Sequence, residues 1–199
     1  MNEFRRSISR GDVNELPIRR YEGAVRLIET PEELEGAMAD IRKEIGQESV
    51  VGLDTETRPS FRKGESHLPC LAQVATARAV YLFPLQRLDC SRELAELLGD
   101  PLIIKAGVSL AHDLRQLKLV FPFEQASVVE LGDVARHGGV GQSGVRNLAA
   151  NFLGFRIPKG NRTSNWAARH LTQAQITYAA TDAWACRELY LRFKALQLL

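Results

Sequence analysis

Residues 50–56 read VVGLDTE, an apolar run that ends on two acids with a threonine between them. In a strand the side chains alternate faces, so Asp54 and Glu56 point one way and Thr55 the other. Two carboxylates at that spacing crowd one another unless something positive lies between them. A hard divalent cation meets that need, because it accepts carboxylate oxygens and keeps several waters. A strand that merely ends in a polar turn fits the same residues, and a D-x-E pattern alone does not separate the two readings. The rest of the chain has to decide.

The 199 residues are 45% hydrophobic and 25% charged, an ordinary globular composition with enough chain to bury a core as one domain. A net charge of +2 is too mild to mark a nucleic-acid binder by itself, although basic residues recur in FRRS, PIRRY, SFRKG and KGNR. Cys70, Cys90 and Cys186 are too few and too scattered for a disulfide framework or a zinc site; they read as reduced thiols of a cytoplasmic protein. No stretch approaches the ~18 consecutive apolar residues of a membrane span, and the N-terminus lacks a signal-peptide core.

Residues 1–22 are polar with no periodic apolar face and read as an extended or partly disordered lead-in to a domain over 23–199. A strand over 24–29 is followed by a helix over 31–45. That helix opens with Thr30 as N-cap, Pro31 at the first position and Glu33 closing a capping box. Strands follow at 49–56, 71–76, 79–85 and 101–107, with a short helix over SRELAELLGD and another over VSLAHDLRQLKLV. SVVEL is a further extended stretch, 143–153 a helix stopped by Gly154, and 172–196 a final helix capped by Thr172 and Gln175. Strands interleave with helices except between 71 and 85, which predicts an α/β fold with a mixed sheet.

The final helix carries YAATDA, which stacks Tyr178 and Asp182 on one face four residues apart. Their neighbours Ala179, Ala180, Thr181 and Ala183 are small enough for close approach to a sheet. An exposed helical acid beside a half-buried aromatic fits that pair equally well. Asp113 opens the helix after the apolar strand LIIK, where open α/β sheets form their sites, although an acid favoured by the helix dipole explains it too.

Taken together, VVGLDTE, KAGVSLAHDL and YAATDA resemble the three motifs of the proofreading 3′–5′ exonucleases, in the group with four acids and a tyrosine. VVELGDVA, SNW and LTQAQITYAATDA extend the likeness, which runs in order over roughly 24–196. Within that group the chain is most similar to the ribonuclease D and Werner-helicase exonuclease branches, and KAGV and SNW lean toward the second. The resemblance implies a ribonuclease H-like fold, a mixed central sheet flanked by helices in a single domain. It implies two divalent cations, Mg²⁺ or Mn²⁺, held by Asp54, Glu56, Asp113 and Asp182, with Tyr178 as the fifth catalytic residue. On that reading Asp54 bridges the ions, Asp113 serves the second, and Tyr178 orients the attacking water rather than deprotonating it, because a phenol titrates near ~10. The expected substrate is DNA or RNA with a free 3′ end, and the expected products are nucleoside 5′-monophosphates.

Thr55, Lys159, Arg162, Ser164 and Trp166 are expected around the substrate, with Trp166 either stacking on a base or anchoring its loop. Arg58, Arg62 and Lys63 lie where a single strand would pass, or form a solvated loop. His112 points elsewhere on the helix from Asp113 and is not counted as a ligand. The glycines at 138–144 lack the lysine and the strand–turn–helix setting of a phosphate-binding loop, which excludes an ATP site of that kind. The chain ends soon after the third motif, so weak, salt-sensitive substrate binding is expected. Two rivals stand beside this reading: a catalytically silent module that only binds nucleic acid, and an endonuclease or small-nucleotide phosphodiesterase on the same fold.

Overall fold

The computed structural model describes residues 4–46, 49–62, 64–160 and 163–199. Among these residues six strands form one sheet: β1 (Ala24–Leu27), β2 (Val50–Thr57), β3 (Pro69–Ala75), β4 (Ala79–Pro84), β5 (Ile104–Gly107) and β6 (Val128–Glu130). Their order is β1-β4-β3-β2-β5-β6. β3 runs against β2 and β4, while the remaining pairs are parallel. The two strands lacking a helix between them thus supply the antiparallel part of the mixed sheet, as the sequence predicts. They turn through Thr76, whose amide and hydroxyl both donate to the Ala79 carbonyl.

Helices cover both faces. α1 (Arg10–Glu15) precedes the sheet, and α2 (Pro31–Ile45), α3 (Ser91–Gly99) and α4 (Leu110–Leu117) follow β1, β4 and β5. α5 (Leu131–His137), α6 (Val145–Leu148), a π-helical turn (Ala149–Leu153) and α7 (Gln173–Ala195) complete the chain. The α2 stripe of Leu34, Met38 and Ile41 packs with Val51 and Leu53 of β2 and with α3 and α4 leucines in one core. α7 covers the opposite face, where Ala179, Ala180 and Ala183 meet Leu71, Ala75, Val80 and Leu82. Both capping boxes form: Thr30 with Glu33, and Thr172 with Gln175. No helix among the described residues is long and apolar enough to cross a membrane.

Three boundaries differ from the sequence reading. β5 begins at Ile104 rather than 101, because Asp100 takes the Leu102 amide at 2.8 Å and Pro101 has no amide to give a ladder. The helix expected over 143–153 is a short α6 followed by the π turn, with Phe152 set between Phe4 and Phe193 at centroid distances of 4.9 and 4.7 Å. The lead-in is not merely extended: Ser9 caps α1, and the segment is fastened to the body. Asn151 exchanges two hydrogen bonds with the Arg5 backbone, Ile8 is buried, and Ile18 bridges to Arg156. Apolar burial of Phe4 and Ile8, with paired backbone groups between them, offsets the ordering entropy.

Candidate active site

The site depends on how closely α7 lies against β2. A Cβ built on Gly52 would sit 2.0 Å from the Ala183 carbonyl oxygen and 2.8 Å from the Arg187 amide. Only a glycine therefore admits α7 at this separation, and the alanines of YAATDA supply the matching surface. Two residues on, Asp54 faces the same helix, and Glu56 follows on that face. The ladder slips between Glu56 and Thr57, where Cys70 is the extra residue on β3. Bulges of this kind re-aim side chains beside functional sites.

One ligand oxygen from each of Asp54, Glu56 and Asp182 lies within 4.8 Å of the others. Glu56 and Asp182 are buried and Asp54 is half-buried. Burial raises the Asp54 carboxyl well above its usual range, and the charges of Asp182 and Asp113 push in the same direction. Asp182 is raised by burial as well, against the hydrogen bond from Tyr178 and the charge of Arg146. Its Oδ1 is buried with no hydrogen-bond partner among the described residues. An orphaned carboxylate oxygen beside two further acids fits a hard divalent cation such as Mg²⁺ or Mn²⁺, whose preferred donors are carboxylate oxygens and water.

Asp113 stands outside this trio. It sits in the first turn of α4 and accepts the Thr55 hydroxyl at 2.5 Å. Burial raises its carboxyl, while the Thr55 bond and His112 lower it. Its charge still reaches Asp54. Thr55, expected at the substrate, thus faces the opposite side of β2 and positions Asp113.

Tyr178 hydrogen-bonds Asp182 from the preceding turn, and burial together with Asp182 and Glu56 raises its phenol strongly. The hydroxyl therefore stays protonated and acts as a donor. Trp166 packs beside it at 6.0 Å between ring centroids, with only 2% of its surface exposed. The indole is an anchor for the loop, not a platform facing a base. Ser164 likewise turns inward and accepts the Gln175 side-chain amide at 3.1 Å, tying the loop to the α7 cap. Lys159 is exposed and borders a cavity shared with Tyr178. Arg162 and Lys63 lie outside the described residues.

Three positioning residues escape a sequence reading. Gly52 looks like any glycine in a strand until α7 is placed on it. Arg146, in a stretch without a motif, donates to the Pro158 carbonyl at 2.6 Å and lowers both Tyr178 and Asp182. Glu130 accepts the Ser109 amide at 2.7 Å and the Gly132 amide at 3.1 Å. Ser109 begins α4 at φ 64°, an uncommon left-handed conformation that the Glu130 contact helps to hold. The motif VVELGDVA contained Glu130, but nothing in it marked the residue as the latch for the Asp113 helix.

The 3′–5′ exonuclease family profile matches residues 25–196. Ribonuclease D of Gluconacetobacter diazotrophicus is 34% identical over 170 residues, covering 82% of this chain and 41% of that protein. The mouse bifunctional 3′-5′ exonuclease/ATP-dependent helicase WRN is 29% identical over 181 residues, covering 88% of this chain and 13% of that protein. The chain thus spans well under half the length of either relative. The crystal structure of Escherichia coli ribonuclease D superposes with a TM-score of 0.75 at 23% identity, over 88% of this chain and 46% of that one. That likeness carries the ribonuclease H-like fold. With the profile spanning β1 to the end of α7 and the acids gathered at the β2–α7 seam, the chain belongs to the 3′–5′ exonuclease family.

Proposed function

We propose that this chain is a metal-dependent exonuclease that removes nucleoside 5′-monophosphates from the 3′ end of a nucleic acid. The observation that carries the reading is the trio of Asp54, Glu56 and Asp182, with a partnerless buried oxygen, beside a protonated tyrosine in a chain of this family. Asp54, Glu56 and Asp182 would hold one cation, and Asp54 with Asp113 a second. Such ions, when bound, would supply an acidified water and offset charge on the attacking and leaving oxygens.

The chain's own residues do the rest. The Tyr178 hydroxyl, which donates its proton to Asp182, orients the attacking water by accepting a hydrogen bond from it. Arg146 adds a fixed positive charge on the same side and ties the loop that bears Lys159. The Thr55 hydroxyl holds the Asp113 carboxylate close enough for its charge to act on Asp54. DNA and RNA are both within the reading; relatives named ribonuclease D make RNA the first substrate to try. A cytoplasmic setting is part of the proposal, supported by three buried free thiols.

The test is digestion of a 5′-labelled single-stranded oligonucleotide with Mg²⁺ or Mn²⁺, with the 3′ end free or blocked by phosphate. Stepwise shortening of the free strand only, with mononucleotide as product, supports the proposal. Internal cuts that ignore the block point to an endonuclease. Binding without cleavage of any DNA or RNA tried points to a silent module.

A further inference from the structure

A cavity of about 310 Å³ lies beside Tyr178, and none of the acid trio lines it. That is the lower end of the size range of small-molecule sites. One wall is α7, through Thr177, Tyr178 and Thr181; the rim carries two cations, Arg20 and Lys159. No acid lines it among the described residues.

The cations come from segments far apart in sequence that are pinned side by side. Ile18 bridges in parallel to Arg156, with Arg19 N–H on the Arg156 carbonyl at 3.1 Å and Arg156 N–H on the Pro17 carbonyl at 2.9 Å. The Arg156 guanidinium also donates to the Leu16 carbonyl at 3.1 Å. Both chains then run on together, one into Arg20 and the other into Lys159. The Tyr21 amide fixes the far end by donating to the Thr181 hydroxyl at 3.0 Å, and that hydroxyl donates to the Thr177 carbonyl at 2.6 Å. The segment that carries no periodicity is therefore built into the wall of a cavity that opens on the proposed catalytic tyrosine.

We infer that this cavity is a subsite for a backbone phosphate of the nucleic-acid strand, with Arg20 and Lys159 as its cations. The inference rests on the exonuclease reading for the identity of the strand. Exposed cations on a rim suit an anion that stays partly hydrated and extends past the pocket, which a polymer backbone does. Arg20 makes the N-terminal strap part of substrate holding, although the strap precedes the family-matched region.

Binding of a short labelled single-stranded oligonucleotide, measured as a function of salt in an Asp54→Ala background, tests this without requiring turnover. Arg20→Ala should weaken binding roughly threefold to tenfold at low salt and reduce the slope of log Kd against log salt by about 0.7, the loss of one phosphate contact. Arg20→Lys should recover most of the slope. Arg19→Ala removes the same charge from the adjacent exposed residue outside the cavity, and should alter neither quantity. Equal effects at the two arginines, or an unchanged slope in Arg20→Ala, would overturn the subsite. So would abolition of the Arg20-dependent part by a nucleoside 5′-monophosphate at millimolar concentration, which would reassign the cavity to free nucleotide. Absence of nuclease activity in the unmutated protein would count against the exonuclease reading while this comparison still reads out.

Discussion

On one side of β2, α7 lies with its Ala183 carbonyl where a side chain at position 52 would be. On the other side α4 stands off at the distance that Leu110, Leu114 and Leu117 set when they pack with Leu53. The acids follow the same division. Asp54, Glu56 and Asp182 meet at the tight seam, while Asp113 reaches the site from the looser helix through Thr55. Backbone packed on backbone leaves little room to adjust; side-chain packing held by two hydrogen bonds leaves more. Three carboxylates are thus set by the fold, and the fourth is set by its latches.

The sharpest way to break that contrast is to fill the seam. Gly52→Ala forces a methyl group into a backbone carbonyl, so it should cost about 3 kcal/mol or more in urea unfolding and abolish metal-induced stabilisation. A near-neutral result would show that α7 can move off β2 freely.

Charge removal gives the next effect. Acids whose carboxyls are raised on folding contribute stability only at low pH, and lose it as pH rises through their folded values. Without metal, the seam therefore destabilises the fold at neutral pH. Asp182→Asn should raise the melting temperature in EDTA at pH 8, by an amount equivalent to about 1–3 kcal/mol, and shrink the gain seen on acidification to pH 5. It should also remove the stabilisation by Mn²⁺ expected of the unmutated protein at pH 8. Asp113→Asn, at the looser site, should do less on both counts.

Smaller losses should follow from the latches. Thr55→Val leaves Asp113 without its hydroxyl partner and should lower kcat about tenfold, with a stability loss near ~1 kcal/mol. Glu130→Gln should act in the same direction and more weakly, since an amide oxygen can still accept the Ser109 amide. Equal losses from Thr55→Val and Gly52→Ala would erase the distinction between the two sides.

A separate test lies away from the acids. Lys105 is fully buried in β5, donates to the Asp100 carbonyl at 2.7 Å, and is lowered by burial from 10.5 to about 8. The unfolded chain binds more protons between those values, so this lysine makes stability rise with pH across that window. Lys105→Met should remove that rise, a difference of about 1–3 kcal/mol between pH 8 and 10.5 in paired unfolding curves.

Much of this architecture is written locally. Thr30, Pro31 and Glu33 announce α2, Thr172 and Gln175 announce α7, and both boxes form as read. The acids Asp54, Glu56 and Asp182 were legible because their spacing survives translation into strand and helix geometry. Gly52 was not, since its meaning depends on which helix covers it. The anchoring of the loop by Trp166 was one of its two readings, but the inward turn of Ser164 was not legible, because a polar loop sequence does not tell which residues its own helix cap will claim. The fastening of the N-terminal strap was not legible for a related reason: it comes from Phe152, Asn151 and Arg156, all more than a hundred residues away. Long-range pairing leaves no local period to detect.

The central claim is that the carboxylates at the β2–α7 seam cut the 3′ end. Release of mononucleotide from a 3′-labelled oligonucleotide, followed in parallel for the unmutated protein and Asp54→Ala with Mn²⁺, tests it most directly. The unmutated protein should release mononucleotide, and Asp54→Ala none above background. Equal release by both would contradict it.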